Sequence, residues 1–100
     1  MKTYNPQQIE EKLKSLTGWN LVNEAIEKQF KFKDFKQALA FIIHVGLYAE
    51  QADHHPEIFN VYNKVTLRLN THSAKGITDK DFDLAGKINT IFPNPQMGTY

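Results

Sequence analysis

The clearest hydrophobic pattern in the chain lies between Phe35 and Ala52, where apolar residues recur at alternating spacings of three and four. That spacing places them on one face of an α-helix, so the pattern predicts a single long helix. Asp34 precedes it and is well placed to cap the helix N-terminus. The predicted buried stripe consists of Phe35, Ala38, Ile42, Val45, Ala49 and Ala52.

The same segment carries further apolar residues, so its apolar surface is wider than the roughly 100° stripe that covers one sheet. Two interpretations stay open: a broad buried face in a small domain, or a second apolar surface used for self-association. Phe41 and Tyr48 lie one heptad apart and are expected on that second surface, while His44, outside any motif, is expected to be structural or to lie at an oligomer contact. Exposed contiguous apolar surface marks interfaces, so we expect a homo-oligomer.

Shorter alternating patterns predict two pairs of β-strands. Trp19–Val22 and Ile26–Phe32 form the first predicted hairpin, although Lys28 breaks the alternation of the second strand. Phe59–Tyr62 and Val65–Thr71 form the second, with a turn near residues 63–64. In the last strand the parity of the pattern predicts that His72 points away from the aliphatic face.

Two shorter helices flank these strands. The first begins at Asn5-Pro6, where a cap, a helix-compatible proline and a polar residue at Gln8 follow one another, and Gly18 is expected to end it. The second begins at Thr78, with Phe82, Ala85, Ile88 and Phe92 as its buried stripe and Pro93 as its end. The tail 94–100 has little to bury and is expected to be loosely held.

The order of helix, strand pair, helix, strand pair and helix predicts an α+β fold. We expect a four-stranded antiparallel sheet with three helices packed on one face, in a single domain spanning residues 1–100. One hundred residues with 41% hydrophobic content suffice for one core and not for two. The order of strands within the sheet stays open at this point.

Charge and composition exclude several classes of function. Twelve basic and eleven acidic residues are well mixed and give a net charge of +1, so binding to nucleic acid or to an anionic membrane by bulk charge is not expected. No apolar run approaches the roughly 20 residues that span a bilayer, and the N-terminus lacks the apolar segment of a signal peptide. The chain has no cysteine, which excludes disulfides and thiolate chemistry. We expect a cytoplasmic protein.

Histidines supply the candidate chemistry. His54 and His55 are adjacent where the long helix must end, because Pro56 restricts the residue before it to extended angles, and His72 follows the last predicted strand. An imidazole titrates near 6.5, which suits proton transfer near neutral pH. A zinc site is the alternative, but adjacent histidines in an extended backbone point apart, and no His-Glu-x-x-His helix is present. We therefore predict no metal and no other cofactor.

These residues together form a pattern that resembles the signature of the pterin-4a-carbinolamine dehydratases. Its parts are Glu50-x-x-x-His54-His55-Pro56, Tyr62, His72 and Asp81. The similarity extends from about Trp19 to Ala85 and includes Lys28-Gln29-Phe30-Lys31-Phe32-Lys33-Asp34-Phe35 and Phe59-Asn60-Val61-Tyr62-Asn63-Lys64-Val65.

The resemblance implies the dehydration of a 4a-hydroxytetrahydropterin to the quinonoid dihydropterin, which recycles the pterin after aromatic amino acid hydroxylation. It implies His54, His55 and His72 as catalytic residues, with His54 and His72 as acid and base in either order and His55 orienting the pterin. The implied substrate-binding residues are Glu50, Asp53, Asn70, Thr71, Ser73 and Asp81.

Two of these assignments have a simpler structural alternative. Asp81 is expected to hold His72 in its working tautomer, but an acidic residue in the first turn of a helix is also expected for capping alone. Glu50 is expected to contact the substrate, although it could equally be a solvated residue near a helix end. The resemblance further implies a homotetramer, with a dimer as the alternative, built through the long helix. The rival function is a non-enzymatic binding module that acts as a dimerisation cofactor of a transcription factor.

Overall fold

The computed structural model describes residues 1–91 and confirms the α+β fold. One hydrophobic cluster runs through these residues. In chain order the elements are α1 (Pro6–Leu13), β1 (Asn20–Val22), β2 (Ala25–Lys31), α2 (Phe35–Ala52), β3 (Glu57–Val61), β4 (Lys64–Leu69), a 3₁₀ helix (His72–Ala74) and α3 (Asp79–Ile91).

The helices begin where their caps predict. The side chain of Asn5 accepts from the backbone N–H of Gln8, and the Gln8 side chain accepts from the N–H of Asn5, so the predicted capping box is present. α1 ends at Leu13, earlier than expected, and two turns then lead to Gly18. The predictions for Phe92, Pro93 and the tail 94–100 lie outside the described residues. No helix within residues 1–91 is long and apolar enough to span a membrane.

The four strands form one antiparallel sheet in the order β1-β2-β4-β3. The two predicted hairpins are joined through β2 and β4, with Ile26 opposite Leu69 and Phe30 opposite Val65. This order makes β2 and β4 the central strands and leaves β1 and β3 at the edges. The residues that follow β4 therefore emerge from the middle of the sheet.

The turn of the second hairpin lies one residue earlier than predicted. Lys64 pairs with Val61, so the turn consists of Tyr62 and Asn63 rather than residues 63–64, and Tyr62 adopts a left-handed conformation with φ of 51°. The Asn60 amide donates to the carbonyls of Tyr62 and Lys64, at 3.2 and 2.8 Å. These bonds from a neighbouring side chain stabilise a turn that lacks glycine.

The core lies between one face of the sheet and α2 and α3. Its fully buried members from the strands are Ile26, Phe30, Val65, Leu67 and Leu69. Phe41 of α2 is also fully buried, with its ring centroid 4.7 Å from that of Phe30 and 5.0 Å from that of Phe32. Tyr48 is partly buried and packs against the same core. The expectation that Phe41 and Tyr48 belong to an exposed surface was therefore wrong.

Lys28 interrupts the apolar alternation of β2 because its ammonium group bonds to the segment after α1 and to α3. The side chain is on the covered side of the sheet, and its Nζ donates to the Thr17 carbonyl at 2.9 Å and to Asn89 Oδ1 at 2.8 Å. The Trp19 indole N–H donates to the same Asn89 oxygen. Burial lowers the pKa of Lys28. Gly18 adopts φ of +87°, a conformation that residues with a Cβ rarely adopt, and an added Cβ would also lie 2.6 Å from Lys28 Cε.

Candidate active site

The C-terminus of α2 places two adjacent histidines in different surroundings. Asp53 ends the helix in a left-handed conformation (φ 50°, ψ 44°), and its N–H bonds to the carbonyls of Ala49 and Glu50. Aspartate is one of the few residues besides glycine that visits this conformation routinely. The next N–H, that of His54, also bonds to the Ala49 carbonyl at 3.0 Å. The reversal leaves His54 buried and His55 exposed.

His54 pairs with Asp81, and the expectation that Asp81 would pair with His72 was wrong. The distance from His54 Nε2 to Asp81 Oδ1 is 2.6 Å, with His54 8% and Asp81 0% exposed. Asp81 lies in the first turn of α3, which packs on α2, so its carboxylate meets the end of α2. Because a carboxylate only accepts, Nε2 carries the proton of this bond. Nδ1 is then the ring nitrogen that can accept a proton.

Asp81 is held on its other side by two donors. Its Oδ2 accepts from the Thr71 hydroxyl at 2.8 Å and from the backbone N–H of Thr78 at 2.9 Å. The helix N-terminus adds a positive partial charge at the same place. A buried carboxylate needs such partners, since an unpaired one would be very costly. The geometry thus keeps a negative charge directly behind His54.

His55 and Glu50 form a separate pair at the surface. His55 Nε2 lies 2.5 Å from Glu50 Oε1, but the side chains are 57% and 76% exposed. Water screens such a pair, so it contributes little to stability. Each side chain can therefore give up this bond and form a hydrogen bond with another partner.

His72 is exposed at a cleft of about 680 Å³. β4 ends at Leu69, so strand parity does not set the direction of His72, which instead begins the 3₁₀ helix. The loop around it is closed by a bridge between Thr71 and Gly76. Asn70, Glu57 and other polar residues line the cleft with His72, namely Asn23, Glu24, Arg68 and Lys75.

The other predicted substrate-binding residues differ in how accessible their side chains are. Asn70 lines the cleft, with its amide donating to the Glu24 carbonyl at 2.7 Å, and Ser73 is exposed in the 3₁₀ helix. Thr71 is 3% exposed, and its hydroxyl donates to Asp81. The Thr71 side chain thus faces inward, whereas Asn70 and Ser73 face accessible surface.

The geometry can be set beside known proteins. The family model for pterin 4 alpha carbinolamine dehydratase matches residues 2–91. The chain therefore belongs to the pterin-4a-carbinolamine dehydratase family. This confirms the resemblance found in the sequence, and it places the chain among proteins named for a hydro-lyase reaction.

Relatives of similar length support the family. Proteins from Brucella ovis and Brucella canis, both named provisionally as pterin-4-alpha-carbinolamine dehydratases, are each 49% identical over 86 residues, which cover 84% of this chain and 89% of theirs. A crystal structure from Brucella melitensis, described as a transcriptional coactivator/pterin dehydratase, superposes with a TM-score of 0.86 at 46% identity. It covers 90% of this chain and 98% of its own.

In this family member His54 and His72 face different concavities. His54 lines a smaller one, of about 470 Å³, at the junction of α2 and α3, together with Ala52, Lys80, Asp83, Leu84 and Lys87. No hydrogen bond within residues 1–91 joins His72 to His54 or His55. Thr71 connects the two histidines. Its hydroxyl donates to Asp81, the partner of His54, and it precedes His72 in the chain.

Two residues near the candidate site escaped the sequence analysis. Thr78 was assigned only as a helix cap, although its hydroxyl lies 2.7 Å from that of Thr71. Arg68 binds the β1–β2 turn, with its guanidinium donating to the carbonyls of Val22 and Asn23 and to Glu27. The capping-box pattern could have indicated the first, because it already placed Thr78 and Asp81 together. No sequence pattern indicated the second.

No group of three or more candidate ligands that could hold a metal occurs within the described part of the chain. His44, on α2, is partly buried, and its Nδ1 has no hydrogen-bond partner among residues 1–91. It lies outside the cluster around Asp81. Of the candidate histidines, His54 therefore has a buried carboxylate partner in Asp81, and His72 lies exposed at the cleft.

Proposed function

We propose that this protein dehydrates a 4a-hydroxytetrahydropterin to the quinonoid dihydropterin and water. The observation that carries the proposal is the short bond between His54 and the buried Asp81, in a chain that belongs to the carbinolamine dehydratase family. An imidazole backed by a carboxylate is suited to accept a proton, because the carboxylate stabilises the imidazolium that forms.

The reaction needs one proton donor and one proton acceptor. The bond from C4a to the hydroxyl oxygen breaks, and that oxygen leaves as water after receiving a proton from an acid. The proton on N5 goes to a base, and its electron pair forms the N5–C4a double bond. Protons balance between the two groups and no electron is gained or lost. Two histidines can therefore carry the whole step.

We assign His54 as the base that takes the N5 proton at Nδ1, since its Nε2 already donates to Asp81. His72 is then the acid at the leaving oxygen, which requires that the bound pterin reach both the cleft lined by His72 and the concavity lined by His54. His55 and Glu50, an exposed pair, orient the pterin by exchanging their mutual bond for bonds to the ring. Asn70, Asp53 and Ser73 are proposed to line the bound substrate, whereas Thr71 acts from behind through Asp81.

We further propose that the protein works as a homotetramer, with a homodimer as the alternative. α2 exposes an apolar stripe with a spacing of four, Phe35, Leu39, Ile43 and Leu47, whose members are 42% to 63% exposed. Edge strand β3 exposes a second group, Ile58, Phe59 and Val61, followed by Tyr62. Apolar surface of this extent in a small domain favours association, and pairing of β3 would also protect the sheet edge.

A second candidate function is supported by the same α2 stripe. The Brucella melitensis structure is described as a transcriptional coactivator as well as a pterin dehydratase. An apolar helix face could pack on a helix of another protein as well as on a second copy, so a role as a dimerisation cofactor is the alternative proposal. The buried His54–Asp81 pair is not needed for such a role and favours the enzyme.

The test is a stopped-flow assay in which 4a-hydroxytetrahydropterin is generated and its decay is followed by absorbance. We expect the purified protein to accelerate the decay well above the uncatalysed rate, and His54→Ala to remove most of that acceleration. A decay unchanged by wild-type protein at any concentration would overturn the proposal and leave the binding role.

A further inference from the structure

Two buried hydroxyl groups lie behind the catalytic carboxylate. Thr71 follows β4 and Thr78 precedes α3, and their side-chain oxygens are 2.7 Å apart. Thr71 is 3% and Thr78 0% exposed. Neither hydroxyl faces the cleft or the surface, so neither can bind a substrate. Their role must therefore lie in the hydrogen bonds that they form within the protein.

The hydrogens of this cluster can run in one direction only. Asp81 Oδ2 is an acceptor, so Thr71 donates its single hydroxyl hydrogen to it at 2.8 Å. Thr78 must then donate to Thr71. The Thr78 oxygen in turn accepts from the backbone N–H of Lys80 at 3.3 Å. A directed chain therefore leads from the first turn of α3 through two hydroxyls and Asp81 to His54.

Helix capping alone does not explain this chain. A cap requires that Thr78 accept from the backbone of α3 and that Asp81 accept from the Thr78 N–H, and both bonds are present. The Thr71 hydroxyl takes no part in the cap. It fixes Asp81 Oδ2 from the side opposite His54, which leaves Oδ1 directed at Nε2. A fully satisfied network of this kind rigidifies its members.

We propose that Thr71 and Thr78 are positioning residues that hold the Asp81 carboxylate and thereby keep the proton of His54 on Nε2. The hydroxyl of Thr78 acts through that of Thr71, which acts on Asp81. The consequence for catalysis rests on the dehydratase function proposed above. The consequence for the histidine tautomer does not, because it follows from the hydrogen bonds alone.

The test compares Thr71→Val and Thr78→Val, which keep the side-chain shape, with Thr71→Ser and Thr78→Ser, which keep the hydroxyl. Thr90→Val is the matched control, since its exposed hydroxyl donates to the Lys87 carbonyl on the same helix and has no other hydrogen bond within residues 1–91. We expect each Val variant to lower kcat by about tenfold with KM nearly unchanged, a part of the 10²–10⁴-fold that a positioned acid or base contributes. The Ser variants should regain wild-type kcat.

The second readout is the ¹⁵N NMR spectrum of the His54 ring, which distinguishes protonation at Nε2 from protonation at Nδ1. We expect the wild-type pattern to change in both Val variants and to return in the Ser variants. An unchanged His54 spectrum overturns the proposal whatever happens to kcat. In an active wild-type protein, an unchanged kcat in Thr71→Val overturns it as well.

The design separates this proposal from the proposed function. An inactive wild-type protein contradicts the dehydratase function only, and the His54 spectrum then decides the positioning role alone. Should Thr78→Val fail to fold because the cap of α3 is lost, Thr71→Val decides, since it leaves every bond of the cap in place.

Discussion

His54 differs from its neighbour His55 in what a single substitution would disturb. His54 is nearly buried and bonded to a buried carboxylate, whereas His55 pairs with Glu50 at the surface. Removing one partner of a buried hydrogen bond leaves the other partner unsatisfied, at a cost of about 1–3 kcal/mol and more where that partner is charged. A substitution at His54 or Asp81 should therefore affect both stability and turnover, whereas one at His55 should leave stability nearly unchanged.

Asp81→Asn should lower kcat by roughly 10²–10⁴-fold while KM stays near the wild-type value. The amide keeps the size of the side chain but no longer stabilises an imidazolium, and its NH₂ group can favour the wrong tautomer. Asp79→Asn is the matched control, because it removes a carboxylate from the same helical turn without touching His54. Steady-state dehydration kinetics on both variants check this, and equal kcat values would contradict the role of Asp81.

His72→Ala and His55→Ala should separate turnover from binding. His72→Ala removes the proposed acid, so kcat should fall more than KM rises. His55→Ala removes an orienting group, so mainly KM should rise. The same kinetics on the two variants provide the check, and equal effects on both constants in both variants would refute the division of roles.

The hydrogen bond between Tyr4 and Asp79 makes a contribution to folding stability that depends on pH in the alkaline range. The Tyr4 hydroxyl donates to Asp79 Oδ1 at 2.6 Å, and this hydrogen bond, with smaller effects of burial and nearby charge, raises the pKa of Tyr4 above the usual 10.0. Below pH 10.0 the tyrosine is neutral in the folded and unfolded chain, and its contribution is fully present. Above pH 10.0 the unfolded chain loses this proton first, so the contribution declines up to the raised pKa.

Urea unfolding of wild type and Tyr4→Phe at a series of pH values measures that contribution. The stability difference between the two proteins should be constant below pH 10.0 and should shrink above it. Comparing the two proteins cancels the opposite trend of Lys28, whose lowered pKa makes stability rise with pH in the alkaline range. A difference that does not change across pH 10 would contradict the assignment.

Residue types and family pattern identified the histidines, but they did not identify their partners. Which imidazole meets Asp81 depends on how α3 packs against the end of α2, a contact between positions 27 apart in sequence. The direction of His72 also required the structure, because β4 ends before it. Local features such as the capping box at Asn5 were predicted correctly, whereas Gly18 does not end α1, which ends at Leu13.

At the scale of elements, the apolar periodicity of α2 predicted the helix correctly but not which of its apolar residues are buried. The bounds Phe35–Ala52 agree with the prediction. Apolar residues occur around most of the helix, however, so the sequence does not show which of them face the sheet. The Phe41 ring packs against the rings of Phe30 and Phe32 and is buried, whereas Leu39 and Ile43 are exposed.

Ile43→Glu combined with Leu47→Glu should reduce the size of the assembly without unfolding the subunit. Both side chains are more than half exposed in the single chain, so charges there are tolerated in the monomer but costly in a buried contact. Gln7→Glu with Thr90→Glu adds the same charge at exposed positions outside α2. Light scattering should report a smaller particle for the first pair only, with unchanged circular dichroism.

A full-size particle from the Ile43 and Leu47 variant would remove this stripe from the interface. Phe41→Glu serves a different purpose, because it places a charge in the core. We expect it to unfold the subunit, as large disruptions of well-packed aromatic positions do.

At the scale of the whole molecule, the alternation of helices and strand pairs was sufficient for the fold class. The strand order β1-β2-β4-β3 was not predictable, since both hairpins read alike and nothing local shows which strands meet in the middle. That order determines the site: β4 is central, so the segment after it, with Thr71 and His72, leads from the middle of the sheet to the start of α3. The candidate site is thus a product of long-range packing around locally predictable elements.

The central claim is that imidazoles and a buried carboxylate dehydrate the pterin without a metal. The most direct measurement is the rate of 4a-hydroxytetrahydropterin dehydration by protein treated with a strong chelator, compared with His54→Ala treated in the same way. The account predicts full activity for the treated wild-type protein and a loss of most of it in the variant. Activity that disappears with the chelator and returns with zinc, or a variant as active as wild type, would contradict it.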